Sequence, residues 1–110
     1  MVYYGIHLII TGECPASLFT QQAKNDLFLS PNGRLSDMDK MAHLGTKELA
    51  EKFKDAYLPR LYKRYGNDID VRVDEWRTGD SESNRKRIME DSILATKRLE
   101  TGILAPNQKP

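Results

Sequence analysis

Asp68-Ile69-Asp70-Val71-Arg72-Val73-Asp74-Glu75-Trp76 decides how this chain is read. Ile69, Val71 and Val73 alternate with Asp70, Arg72 and Asp74, the two-residue period of a half-buried strand. One side of that strand must meet an apolar core. The other presents two carboxylates, a guanidinium and an indole in a row, and a site is sought there first.

The flanking sequence supplies the rest of the layer. From Lys47, the residues Leu49, Phe53, Tyr57, Leu61 and Tyr65 recur at helical spacing with Ala50 and Ala56 beside them, the stripe of an amphipathic helix that Gly66-Asn67 closes. Pro59 lacks an N–H and its ring crowds the carbonyl four residues back, so a kink or break is expected between Asp55 and Leu58. Downstream, Thr78-Gly79-Asp80-Ser81 carries turn and capping chemistry. A helix over 82–101 follows, expected to bury Ile88, Met89, Ile93, Ala95 and Leu99 and to end at Gly102.

Upstream, Tyr3 to Thr11 is β-branched and aromatic and reads as a strand covered on both faces, with Ile6, Leu8 and Ile10 on one of them. Pro15 suits the first turn of a short helix from Ala16 to Lys24 that buries Leu18, Phe19 and Ala23. Leu27 to Leu35 forms a hairpin around Pro31-Asn32-Gly33, because Asn-Gly tolerates the positive φ of tight turns. Ser36 and Asp39 have the spacing of a capping box and start a short helix through Met41. Gly45 ends it, and Thr46 caps the next helix.

The fold class expected is α/β or α+β, a small layered domain. Its short sheet has strands at 3–11 and 68–76 with the hairpin 27–35, packed by helices 47–65 and 82–101. The domain runs over 1–104 and a flexible tail over 105–110. Two strands alone are marginal, so either the hairpin extends the sheet or a second copy completes it across a two-fold axis. A homodimer is expected on that ground.

At 110 residues the chain supports one modest core, and 30% charged with 39% apolar residues is the composition of a soluble globular domain. A formal net charge of +1 gives no field that would hold a polyanion without a local patch. Cys14 is the only cysteine, so no internal disulfide forms. No basic, apolar leader opens the sequence and no run is long enough to span a bilayer. A cytoplasmic location is expected, with no membrane partner.

Cys14-Pro15-Ala16-Ser17, between a strand and a helix, is similar to the monothiol site of glutaredoxin-like proteins. A helix N-terminus there would favour thiolate. Such proteins also place a proline before a later strand, and Pro59 lies in a helical stripe instead. The backbone N–H groups of Ala16 and Ser17 would suit an anion, but Thr11-Gly12-Glu13 lacks the glycine and lysine of a phosphate loop. Tyr4-Gly5-Ile6-His7-Leu8-Ile9-Ile10 with Cys14 looks like the opening strand of small S-adenosylmethionine decarboxylases, and no serine-based self-cleavage segment follows it. The element order from Gly33 to Leu99 is loosely similar to that of histidine acid phosphatases, whose arginine-histidine-glycine triplet is absent. None of these likenesses licenses a transfer of function.

The remaining candidates are individual side chains. His7 has the parity to share a face with Asp70, Arg72 and Asp74, where a carboxylate would fix its tautomer in acid–base geometry. Arg72 would clamp an anion, and Trp76 would stack on a ring. His43 is placed at a helix end, where a positive charge suits the dipole. One cysteine and two scattered histidines do not make a zinc site, and no metal or cofactor is expected. Arg85, Lys86, Arg87, Lys97 and Arg98 form a basic helix that would contact nucleic acid, although Glu82, Glu90 and Asp91 offset it. The function expected is that of a small binding or regulatory protein recognising a small anionic ligand or a protein partner through Arg72, Trp76 and His7. The alternatives are an acid–base enzyme using His7 with Asp70, Asp74 and Arg72, and a nucleic-acid module.

Overall fold

The structure, a computed structural model, describes residues 1–11 and 27–102. Four strands form one antiparallel sheet: β1 (Val2–Ile10), β2 (Leu27–Leu29), β3 (Leu35–Ser36) and β4 (Ile69–Arg77), in the order β3-β2-β1-β4. Two helices, α1 (Lys47–Tyr65) and α2 (Glu82–Thr101), complete a small α+β domain. The expected helix at Ala16–Lys24, Cys14 and the tail 105–110 lie outside the described residues.

β1 and β4 pair along their whole length, from Val2 opposite Arg77 to Ile10 opposite Ile69. This register puts Ile6 beside Val73 and Leu8 beside Val71, so the apolar sides of both strands share one face. The hairpin extends the sheet, and completion by a second copy is not required. Its turn differs from the expected Asn-Gly geometry: only Gly33 takes a positive φ, +86°, while Asn32 does not. Ser30 and Arg34 pair across a three-residue connection, which needs one left-handed position rather than two. A Cβ on Gly33 would also meet the Tyr57 ring.

α1 lies on the apolar face with Ala50, Phe53, Tyr57 and Leu61 buried against Ile6, Leu8, Ile10 and Leu29. The Thr46 hydroxyl caps it by accepting from the Leu49 N–H at 3.1 Å. α1 is not broken at Pro59. Pro59 is exposed, so water reaches the carbonyl it leaves unpaired, while Phe53, Tyr57 and Leu61 hold both halves to the same sheet.

The segment from Ser36 to Gly45 departs most from expectation. Ser36 ends β3 and does not cap a helix; a single 3-10 turn, Met38–Lys40, follows with no side-chain cap. The chain then runs extended. Leu44 exchanges two backbone hydrogen bonds with Tyr4, at 2.7 and 2.9 Å, and the Ala42 N–H donates to the Leu29 carbonyl at 3.0 Å. Met41 is fully buried on the second face of the sheet with Tyr3 and Phe28. A side chain at position 5 would collide with its sulfur, so Gly5 is required by close approach.

α2 packs against α1 and against this extended segment. Of the residues expected to be buried, Ala95 is, while Met89 and Ile93 are 58% and 50% exposed. Leu94 is also exposed, at 47%. The inner side of α2 sets Ala95, with Ile88 and Leu99 partly buried, beside a group of polar contacts. The Asp91 carboxylate accepts from the His43 N–H at 2.9 Å, the Ser92 hydroxyl accepts from the Gly45 N–H at 3.0 Å, and Arg87 donates to the Asp39 and Met41 carbonyls at 2.7 and 3.0 Å.

Candidate functional site

The face of the sheet turned away from α1 carries the alternating row. Register places His7 opposite Arg72 and Gly5 opposite Asp74, so Asp74 is the diagonal neighbour of His7. His7 Nδ1 lies 3.4 Å from Asp74 Oδ2, and the imidazole stacks on Phe28 at 4.6 Å between centroids. The structure thus brings His7 and a carboxylate of the row together on one face.

Arg72 is already engaged. Its Nε and Nη2 both donate to one oxygen of Asp70, at 2.8 and 2.7 Å. That hydrogen bond and the Asp70 charge, with a smaller push from Asp74, raise the guanidinium further above its already high pKa. One cation between two carboxylates leaves the row without excess positive charge, so an incoming anion would have to displace Asp70.

Trp76 is absorbed into an aromatic layer. It stacks nearly parallel to Tyr3 (6.3 Å between centroids, 8° between planes) and meets Phe28 edge-on (6.3 Å, 70°). Its indole N–H is shielded from solvent and has no hydrogen-bond partner among the described residues. An indole so placed contributes packing on this face. Asp70, Arg72 and Asp74 remain accessible there.

His43 does not sit at a helix end. Its ring stacks on Tyr3 at 3.9 Å and 17°, and burial, with the nearby Arg87 charge second, pushes its pKa down to about 4. It is neutral near pH 7, contrary to the expectation of a cation serving a dipole. Burial also pushes the Tyr3 phenol up and holds the Asp91 carboxyl above its usual range.

The five basic residues of α2 do not share one surface. Arg87 turns inward to the Asp39 and Met41 carbonyls and Asp91, and Arg98 lies at 3.5 Å from the Tyr57 hydroxyl. Arg85 pairs with Asp80 at 3.2 Å. Lys86 and Lys97 point outward among Glu82, Glu90 and Glu100, so the outer face is mixed in sign.

That outer face is the feature sequence reasoning missed. A shallow groove of about 400 Å³ runs along it between Met89, Ser92, Ile93, Thr96, Lys97 and Glu100. A second, of about 360 Å³, lies between α2 and the start of α1. Neither touches His7, Arg72 or Trp76. A signal was available: at 100° per residue Ile88, Ala95 and Leu99 form one row, while Met89, Ile93 and Leu94 fall on the opposite side. Two apolar arcs separated by Asp91 cannot both face one core.

No helix among the described residues is long and apolar enough to cross a membrane, and no three of their His, Cys, Asp or Glu side chains cluster to hold a metal ion. No family model, curated protein or solved structure matches this chain.

Proposed function

We propose that the protein acts by binding another protein chain, with the outer face of α2 as its docking surface. The observation that carries this is the exposure of Met89, Ile93 and Leu94 on a helix that buries only Asp91 and Ala95. Full burial of a side chain of this size contributes about 1.5–3 kcal/mol, and half-exposed ones gain roughly half of that from a partner. The competing ligand surface is less suited: Arg72 is held by Asp70, and the grooves lie elsewhere. The mixed charge of α2 likewise favours a protein partner over nucleic acid. The lone Cys14 accords with a reducing, cytoplasmic setting.

The test is native mass spectrometry of the protein purified from its own host, wild type beside Ile93→Asp. A companion chain is expected on the wild type and lost from the variant. A bare monomer, a monomer carrying only a small molecule, or a companion equally retained by Ile93→Asp overturns the reading.

A second reading, acid–base catalysis, draws on the His7–Asp74 contact. Here His7 exchanges the proton, Asp74 orients the ring and Arg72 positions a substrate anion after release from Asp70. Any turnover found for the protein should vanish in a folded His7→Ala variant. Turnover that survives removes this reading.

A further inference from the structure

We propose that the occupant of the α2 outer face is a second copy of this chain, docked antiparallel with a two-fold axis at Ile93; this names the partner in the binding reading above and rests on it. The argument is the pattern of charge along the helix. Lys86, Glu90, Ile93, Lys97 and Glu100 fall within one outward arc, bordered by the apolar Met89 and Leu94, and all are exposed. Read from the N-terminal end, the arc is positive, negative, apolar, positive, negative.

An antiparallel copy meets that order in reverse. Lys86 then lies opposite Glu100 of the second copy, Glu90 opposite Lys97, and Ile93 on Ile93. The spacing agrees, because Lys86 and Glu100 stand equally far along the chain on either side of Ile93, at about 10 Å of helix rise. Glu90 and Lys97 stand within one residue of equal distance from it. Both pairs come into register together, and the two-fold axis repeats each. A parallel copy would set Lys86 on Lys86 and Glu100 on Glu100, which like-charge repulsion opposes.

The groove fits the same arrangement. In the antiparallel register Met89 of the second copy lies over position 97, above the depression between Ile93, Thr96, Lys97 and Glu100. A flexible thioether fills an irregular space of that kind well. The charges are also available: among the described residues, the ion pairs of α2 are Arg85–Asp80 and Arg87–Asp91, and neither uses Lys86, Glu90, Lys97 or Glu100. Alternating signs offer no net field to a uniformly charged partner, whereas they match their own reverse.

Sedimentation velocity on the full chain across a concentration series tests this. The wild type should approach twice the monomer mass at the upper concentrations, and Ile93→Asp should remain monomeric. Lys86→Glu and Glu100→Lys should each weaken association by about tenfold or more at low salt, and the double variant Lys86→Glu/Glu100→Lys should restore it. Circular dichroism establishes that the variants are folded, and the two charge variants carry the test if Ile93→Asp is not. A wild type that stays monomeric throughout, a dimer indifferent to Ile93→Asp, or a double variant weaker than either single change overturns the proposal. The two readings fail separately. A monomer that holds a different protein through the same face overturns the second copy alone, and a monomer with no companion overturns both.

Discussion

α1 and α2 are nearly equal in length, yet they are attached to the molecule by different balances of apolar burial and polar contact. α1 drives Phe53, Tyr57 and Leu61 into the sheet and leaves its charges to solvent. α2 turns charge and hydroxyl inward, with Arg87, Asp91 and Ser92 bonding the backbone of residues 39–45, and leaves Met89, Ile93 and Leu94 outside. Hydrogen bonds to backbone select one position and register for a helix, but net stabilisation per bond is modest. Apolar burial supplies more energy with less direction. α1 is therefore the helix that contributes most to the stability of the fold, and α2 is the helix whose pose is set by polar contacts to the backbone of residues 39–45.

That contrast can be broken in several places. The largest effect is expected at Phe53, fully buried and edge-on to Tyr57 at 5.0 Å. Phe53→Ala should cost about 3–5 kcal/mol in urea unfolding, and a loss below about 1 kcal/mol would refute the view of α1 as anchor. Next is Asp91→Ala, which strips the acceptor from the His43 N–H and the carboxylate from Arg87. A loss of about 1–3 kcal/mol is expected, with less for Asp91→Asn, which keeps an acceptor oxygen.

A smaller effect is a slope with pH. Native His43 titrates at about 4 against an unfolded value of 6.5, so below pH 6.5 the unfolded chain takes up a proton that the native state refuses. Stability should fall as pH drops from 6.5 towards 4 and this contribution should level off beyond. Asp91 acts in the opposite sense, since its raised native pKa favours proton uptake by the folded form. His43→Phe keeps a ring on Tyr3 and should flatten the slope; urea midpoints above and below this window give the comparison. An unchanged slope would mean that His43 is not the group held neutral. The smallest effect on folding is expected at Ile93→Ala, within about 0.5 kcal/mol, because the side chain packs little in the single chain. A loss comparable to that of Phe53→Ala would erase the difference between the helices.

Much of α1, β1 and β4 was legible because their instructions are local. The alternation from Ile69 to Val73 and the four-residue recurrence from Leu49 to Tyr65 each name one buried side, and Thr46 and Ser81 cap where side chain and N–H are three residues apart. The bounds of α2 and the burial of Ala95 were legible too, but the side on which Met89 and Ile93 lie was not, because the acceptors and donors that orient the helix belong to residues 39–45, far away in sequence. Nothing near Arg87 or Asp91 shows that backbone groups will claim them, so Met89 and Ile93 pass for core. The same distance hid the environment of His43, whose partner ring, Tyr3, arrives from the first strand. At the candidate site, parity alone placed His7 with Asp74. It could not reveal that Asp70 occupies Arg72 or that Tyr3 and Phe28 claim Trp76, since those depend on side-chain direction and on strand register.

The register of β1 with β4 also sets a timetable. β1 is made well before the strand that completes it, because its full ladder runs from Ile69 to Arg77. Until then, among the described residues, the strand neighbours of β1 are the short β2 and Leu44, with α1 able to cover Ile6, Leu8 and Ile10 from one face. A ladder closed over so long a loop forms late and slowly compared with a local hairpin, leaving β1 with an open edge until β4 has been made. Chains stopped before β4 should be held by chaperones or aggregate, whereas those released after it can close the sheet in a single docking step.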